Sequence, residues 1–155
     1  MVVLVVALAV AGLVTVISAG ASQTTTQNGI TRTILAQTAP DNAPRQELYL
    51  EEVKIAPKAK LGTHYHDGTQ IAHVTSGVLT YNIVSGTASV TRADGSAEEA
   101  TGPTTIRLRP GDSVAETKAV VHYGANKGTK PVVILIAALL AEDAPLATPA
   151  PDTQS

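Results

Sequence analysis

The chain has 155 residues, a formal net charge of −2, and no cysteine, phenylalanine or tryptophan. The slightly acidic balance, with no basic stripe, argues against a nucleic-acid partner, and the lack of cysteine excludes disulfides and cysteine-based zinc motifs. The length suits one domain with terminal segments. The apolar residues are mainly Val, Ile, Leu and Ala, which with many Thr favour pleated sheets.

Residues 1–21 are predicted to be a signal peptide or an N-terminal anchor. Val2 to Val14 is almost continuously apolar, and Ala19-Gly20-Ala21 fits a cleavage site that would leave Ser22 as the first mature residue. The basic segment that usually begins a signal peptide is missing. The alternative is an uncleaved span, because about 20 apolar residues cross a bilayer. Either alternative predicts a secreted, periplasmic or cell-surface domain, and only the uncleaved alternative meets the membrane, through residues 1–21.

Short apolar runs separated by Gly and Pro follow, which is typical of an all-β sandwich or barrel. Residues 22–29, rich in Thr and Gln, are predicted to be a flexible spacer, and residues 141–155 a disordered Pro/Ala-rich tail. The apolar run at 132–140 suits a buried strand or a short helix, and its β-branched residues favour a strand to about 137. The strands between these segments are predicted at 30–36, 48–55, 64–66, 70–75, 78–84, 88–92, 104–108, 113–116, 120–123 and 132–137. The strands at 78–84 and 88–92 are expected to pair as a hairpin around Ser85-Gly86.

Three of the four histidines form a pattern that predicts a metal site. Residues two apart in a strand point to the same face, so His64 and His66 can aim at one point. Gln70, beyond the Asp67-Gly68 turn signal, can return to that point, and His122 can reach it from a distant strand. Neutral imidazole suits Fe, Ni, Co, Cu and Zn, and oxygen ligands add Mn. The expected cofactor is therefore one divalent transition metal, although three polar barrel residues without a metal remain the alternative.

The same residues resemble the two motifs of the cupin superfamily. The first motif is matched by His64, His66, Gln70 and Gly77, and the second by Gly111, His122 and Asn126. Lys58 departs from the first motif, where the family has Gly. Thr117 and Ala119 depart from the second motif, where the family has Pro and Gly. The resemblance implies a cupin-type double-stranded β-helix, the RmlC-like jelly-roll barrel, over residues 30–140. It also implies a single metal inside the barrel and a homodimer as the common assembly.

Gln70 is the most informative departure, because the family usually has Glu there. A neutral amide oxygen is a weaker ligand than a carboxylate. Three neutral imidazoles and a Gln would leave the charge of a divalent ion uncompensated, which makes it a stronger Lewis acid and favours an anionic ligand. Direct ligation by Gln70 is predicted, and the alternative is that Gln70 only orients a water. His73, three residues further on, is predicted to face away and to serve packing or a subunit interface.

The sequence leaves the catalytic residues unassigned. Five polar residues that could line the pocket are expected to have surface or packing roles: Tyr65, Tyr81, Tyr123, Arg107 and Glu116. The resemblance implies an exported cupin acting on a small anionic or chelating molecule, with dioxygenase-, isomerase- or lyase-like chemistry. The alternative is a non-catalytic module that binds a small molecule or a metal, and a closed apolar barrel would favour it.

Overall fold

The computed structural model describes residues 23–150, and in this range every regular element is a β-strand. The predicted leader at 1–21 and the last five residues lie outside the described range. No helix within residues 23–150 is long and apolar enough to cross a membrane. The strands are β1 Thr24–Gln27, β2 Ile30–Thr38, β3 Gln46–Ile55, β4 His64–Tyr65, β5 Gly68–Ser76, β6 Leu79–Ser85, β7 Thr87–Thr91, β8 Ala97–Thr101, β9 Thr104–Leu108, β10 Ser113–Glu116, β11 Val121–Ala125, β12 Val132–Ala141 and β13 Thr148–Pro149.

These strands form two antiparallel sheets around one core. The larger sheet has the order β1-β2-β3-β12-β5-β10-β7-β8, and the smaller has the order β13-β4-β11-β6-β9. Neighbours in each sheet are often distant in sequence, as where β12 lies between β3 and β5. This is the predicted all-β, cupin-type jelly roll. The crossed order brings β4 beside β11 and β5 beside β10, and these four strands carry the residues of the site.

The core follows from strict alternation along the strands. Val132, Ile134, Ile136 and Leu140 on β12 all point inward and are buried. Each fully buried aliphatic side chain of this kind contributes about 1.5–3 kcal/mol. The alternation continues beyond residue 137, where the strand was predicted to end. Strand β12 pairs with β3 as far as Ala141 and with β5 as far as Leu140. This element is therefore a ten-residue strand, longer than predicted and not a helix.

The predicted hairpin around Ser85-Gly86 is wrong. Strand β6 belongs to the smaller sheet and pairs with β9 and β11, whereas β7 belongs to the larger sheet and pairs with β8 and β10. The chain turns a corner between the sheets at Gly86, where φ is +84° and a Cβ would collide with the carbonyl oxygen of Ala119. Glycine is required here because the corner needs both a left-handed φ and a close backbone approach. The Ser-Gly pair is a sheet-to-sheet corner and not a hairpin turn.

The predicted spacer at 22–29 is also corrected, because residues 24–27 form β1. The turn is Asn28-Gly29, with φ of +51° and +75°, which is the backbone that a two-residue hairpin of type I′ requires. Threonine hydroxyls link the strands in two cross-strand pairs, Thr24–Thr33 at 3.2 Å and Thr26–Thr31 at 3.0 Å. The Thr-rich segment, whose composition suggested flexibility, thus forms a polar strand at the edge of the larger sheet.

Residues 141–150 of the predicted disordered tail are ordered, and the rest of that segment lies outside the described residues. Ala141 ends β12, and residues 148–149 return as β13, which pairs with β4 beside the histidine motif. Leu146 packs against the core, and the Ala150 amide donates to the Thr63 carbonyl at 3.0 Å. These long-range contacts fix a segment whose own composition favours disorder.

Candidate metal centre

The three histidines of the sequence pattern meet inside the barrel. His64 lies on β4, His66 directly follows that strand, and His122 lies opposite His64 on β11. All three side chains are buried, and their ligand nitrogens lie within 4.8 Å of one another. The alternation argument is confirmed, because Tyr65 between them is only half-buried while both neighbours point inward.

Each imidazole is oriented by a backbone carbonyl. The Nδ1 atoms of His64 and His66 lie 2.7 Å from the carbonyl oxygens of Gly62 and Leu146, and Nδ1 of His122 lies 3.5 Å from that of Val120. A carbonyl only accepts, so in neutral His64 and His66 the proton lies on Nδ1 and Nε2 presents a lone pair, and the longer contact of His122 favours the same tautomer. In His66 this Nε2 is buried and has no hydrogen-bond partner within residues 23–150. Buried polar atoms in proteins are normally paired, and a metal cation bound to this nitrogen would be such a partner.

Burial also keeps these imidazoles neutral. Burial lowers the pKa of His64 to about 4 and the pKa of His66 to about 3, and the neighbouring imidazoles lower both further. Burial likewise lowers the pKa of His122 to about 4. Metal ligation needs neutral imidazole. The cluster is therefore already in the protonation state that a metal ion requires.

These donors fit a divalent transition metal. Three neutral imidazoles with Nδ1 held by carbonyls and Nε2 free form the oriented ligand set that such ions bind. His64, His66 and His122 would hold the ion, and a bound ion would supply a Lewis acid at the centre of the barrel.

Gln70 is brought to the site, as predicted, but its amide has a specific partner. It is buried on β5, and its Nε2 donates to Oε2 of Glu116 at 2.7 Å. The two residues face each other across the β5–β10 pair. This contact fixes the amide orientation, because only the nitrogen can donate to a carboxylate. Direct ligation of a metal by Gln70 stays a prediction.

Glu116 lines the cavity, the alternative that the sequence favoured less than a surface or packing role. Its side chain is not on the surface but is buried beside the imidazoles. Its Oε2 lies 3.5 Å from Nε2 of His66 and 3.3 Å from Nε2 of His122, and its Oε1 accepts a hydrogen bond from the Tyr81 hydroxyl at 2.7 Å. Burial raises the pKa of Glu116 to about 7, against the lowering effect of the hydrogen bonds from Tyr81 and Gln70. One signal was available, since alternation from the buried Val114 places Glu116 inward.

An ion pair lies next to the site. Nη1 of Arg32 on β2 donates to Oε1 of Glu51 on β3 at 2.6 Å. Glu51 is almost fully buried, whereas the Arg32 side chain keeps 19% of its surface exposed. Arg32 lines both the cavity at the histidines and an outer cleft of about 210 Å³, with Leu61 also shared by the two. Its charge further lowers the pKa of His64 and His66, so the positive field of Arg32 reaches the imidazoles.

The cavity at the imidazoles is small. Its volume is about 30 Å³, and aliphatic side chains line most of it apart from the polar groups already described. A single water needs about 10–15 Å³ on this measure. The cavity therefore has room for an ion with one or two small ligand atoms in this conformation.

The remaining candidates have structural roles. His73 faces the outside of the sheet, as predicted, with Nδ1 2.8 Å from the Ser113 hydroxyl. Asn126 ties three backbone groups together, donating to the carbonyls of Ile55 and Lys130 and accepting from the Gly128 amide. Tyr81 lines the cavity, contrary to the surface or packing role expected for it. Two others lie on the outside, with Tyr123 half-buried and Arg107 exposed.

Comparison with known proteins gives the same fold. KdgF from Halomonas sp. is 21% identical and covers 75% of this chain and 86% of its own, with a TM-score of 0.52. A Bacillus subtilis oxalate decarboxylase is 20% identical, with a TM-score of 0.52, but the match covers 82% of this chain and only 29% of that enzyme. A chain from the crystal structures of the DMSP lyases RdDddP and RnDddQII is 15% identical over 78% of this chain and 52% of its own, with a TM-score of 0.53.

A search of curated proteins found no significant match. The sequence matches the family described as Cupin domain over residues 51–138, a range that contains all three imidazoles and Glu116. Because this match spans more than half of the chain, the protein belongs to the cupin family.

Proposed function

We propose that this protein is an exported cupin that binds one divalent transition metal and acts on a small carboxylate or other chelating anion. The observation that carries the metal site is the convergence of three neutral imidazoles, with the buried Nε2 of His66 left without a partner in the described range. Export is supported only by the apolar pattern of residues 1–21. N-terminal sequencing of the protein from its native host tests it, and an intact Met1 in the cytoplasm would contradict it.

The anionic ligand is supported by the charges around the cavity. Arg32 adds a guanidinium to the cavity wall, and guanidinium groups bind carboxylates through paired hydrogen bonds. The chain's residues would divide the work: Arg32 orients the anion, and the aliphatic wall excludes water. Tyr81 and Gln70 hold the Glu116 carboxylate beside the imidazoles. One structural neighbour is an oxalate decarboxylase, and its name indicates a small dicarboxylate substrate, which agrees with this class of ligand.

A non-catalytic binding module is the second candidate, and the size of the cavity favours it. A volume of about 30 Å³ does not admit an organic substrate unless the wall at Arg32 and Leu61 moves. The outer cleft beside the same two residues is where such a ligand would enter.

Metal analysis of protein purified without added metal tests the first part of the proposal. We expect about one transition-metal ion per chain, and no metal above background would refute the site. Oxalate binding by calorimetry, followed by a carboxylate screen for turnover under air, tests the second part. Metal without turnover or anion binding would favour the non-catalytic module.

We also propose that the protein forms a homodimer through the outer face of the larger sheet. An apolar row crosses four adjacent strands there, and all its members are exposed: Ala36, Leu50, Ala137 and Ile71. Ile71 keeps 51% of its surface exposed and Leu48 keeps 42%, which is costly for a free surface. Ile71→Glu should shift the protein to monomer in sedimentation, whereas Thr101→Glu at the sheet edge should not. A wild-type monomer would refute this assembly.

A further inference from the structure

We propose that Glu116 supplies the anionic ligand of the metal centre and that Gln70 positions it. The inference rests on the proposed metal binding by the three imidazoles. The family's usual acidic position is Gln70, which is neutral. The residue directly opposite it on β10 is Glu116, so the carboxylate lies one strand to the side of its usual place and contacts two of the three imidazoles, His66 and His122.

The first support is the contact between Glu116 and two imidazoles. Its Oε2 lies 3.3 Å from Nε2 of His122 and 3.5 Å from Nε2 of His66. The 2.7 Å contact with the Leu146 carbonyl keeps the His66 proton on Nδ1, and the longer 3.5 Å contact with the Val120 carbonyl favours the same tautomer in His122, which leaves a lone pair on each Nε2. Lone pairs therefore face lone pairs at close range. For the ionised carboxylate this arrangement is repulsive unless a cation lies between them.

The second support is that the two distances from Glu116 to the imidazoles match the spacing of neighbouring ligands around one ion. Ligand atoms at about 2.0–2.1 Å from a tetrahedral zinc ion lie roughly 3.3–3.4 Å from one another. The two distances from the Glu116 oxygen to His66 and His122 fall close to this edge length. A hydrogen-bonded contact would be shorter, as the 2.7 Å bonds that Glu116 receives from Tyr81 and Gln70 are.

The third support is the cost of burying Glu116. The side chain is about 1% exposed, and its hydrogen-bond donors in the described range are two neutral groups, Tyr81 and Gln70. A carboxyl group buried in this way either takes up a proton or pairs with a cation. A purely structural acceptor would not need to lie against two imidazole lone pairs. A divalent ion at the imidazoles would provide the missing positive charge.

Gln70 then acts as a positioning residue. It donates one hydrogen bond to the Glu116 oxygen that approaches the imidazoles, and Tyr81 donates to the other oxygen. Each carboxylate oxygen can accept two hydrogen bonds, so Oε2 keeps a lone pair for a cation. Exchanging the two side chains across the strand pair should preserve both the hydrogen bond and the carboxylate.

The experiment measures Zn²⁺ affinity of the full chain by chelator competition, with folding checked by circular dichroism. Glu116→Gln keeps the shape of the side chain and should weaken Zn²⁺ binding by more than about 100-fold, beyond the 10–100-fold that loss of an outer partner costs. The exchanged double variant Gln70→Glu/Glu116→Gln should recover affinity to within about 10-fold of wild type. Glu99→Gln, an exposed change of the same chemistry on β8, should leave affinity unchanged.

A crystal structure of the Zn²⁺-loaded wild type provides a readout that does not depend on any variant folding. The distance from zinc to a Glu116 oxygen should be about 2.0–2.2 Å. A distance beyond about 3 Å with a water between, or a Glu116→Gln affinity within about 10-fold of wild type, would overturn the assignment while leaving the three-imidazole site intact. If wild type binds no Zn²⁺ and holds no other metal, the proposed metal site fails, which is a distinct result.

Discussion

Replacing Arg32 by Met tests how the ion pair beside the site affects stability. The change removes the guanidinium and keeps most of the side-chain stem. Glu51 then loses the donor that now lies 2.6 Å from its Oε1. Its other oxygen, Oε2, is already buried with no hydrogen-bond partner among residues 23–150. The variant would therefore bury a carboxylate with no remaining partner in the described structure.

The expected cost follows from the burial of the pair. Removing one partner of a buried ion pair typically costs about 3–5 kcal/mol. The Arg32 side chain is 19% exposed, so water screens the pair in part and the lower value applies. We therefore expect the free energy of unfolding at pH 7 to fall by about 3 kcal/mol. Replacing both residues, in Arg32→Met/Glu51→Met, should recover most of this loss because the unpaired charge is gone.

The loss should depend on pH with a definite sign. Burial raises the pKa of Glu51 above its ordinary value of 4.5, and the charge and hydrogen bond of Arg32 oppose that rise. Without Arg32 the rise is larger. A folded-state pKa above the unfolded value means that stability is fully present below the unfolded pKa and is lost as pH rises through the folded pKa. The deficit of Arg32→Met should therefore be larger at pH 7 than at pH 5.

Urea unfolding of the metal-free protein at both pH values measures these differences, with the exposed Arg107→Met as control. A deficit below about 1 kcal/mol at pH 7 would show that the pair contributes little to stability, as surface pairs do. An equal deficit at the two pH values would refute the unpaired-carboxylate explanation.

Three further predictions concern the site and its supports. Replacing His64, His66 or His122 by Ala should abolish stoichiometric metal binding while the barrel stays folded. His73→Ala should retain the metal. Full metal occupancy in any of the first three variants would remove that residue from the ligand set. Ending the chain after Ala144 removes the Leu146 carbonyl that orients His66, so Zn²⁺ affinity should fall about 10–100-fold, and unchanged affinity would contradict that role. Asn126→Ala leaves three backbone groups without their partner and should cost about 3 kcal/mol in urea unfolding, whereas a loss below about 1 kcal/mol would mean that water replaces it.

The alternation of strands made the convergence of His64 and His66 predictable. Side-chain parity places His64 and His66 together, and it separates the inward Gln70 from the outward His73. The same rule extends β12 from Val132 to Ala141, where every second residue to Leu140 is buried. These results need only the local period of the chain. They do not require knowledge of which strands become neighbours, whereas the place of His122 depends on the pairing of β11 with β4 and was expected from the resemblance to the second cupin motif.

The missed features depend on long-range pairing or on turn chemistry. The tail could not be placed from its own composition, because β13 exists only through pairing with β4 and Leu146 only through packing on the core. The sheet-to-sheet corner at Gly86 resembles a hairpin turn locally and differs only in which partners the two strands find. The N-terminal hairpin was different, since Asn28-Gly29 is a turn signal that composition alone obscured.

The charge of the site shows why a motif is an incomplete guide to chemistry. Counting three imidazoles and Gln70 gives a site without a negative charge, and the strong Lewis acid predicted from the sequence rested on that count. The structure adds the Glu116 carboxylate within 3.5 Å of two imidazoles and the Arg32 guanidinium at the cavity wall. The field at an ion here would depend on every nearby charge, whichever strand carries it. Gln70→Glu would place a second carboxylate where an amide now donates to Glu116 at 2.7 Å, adding repulsion as well as negative charge to the site.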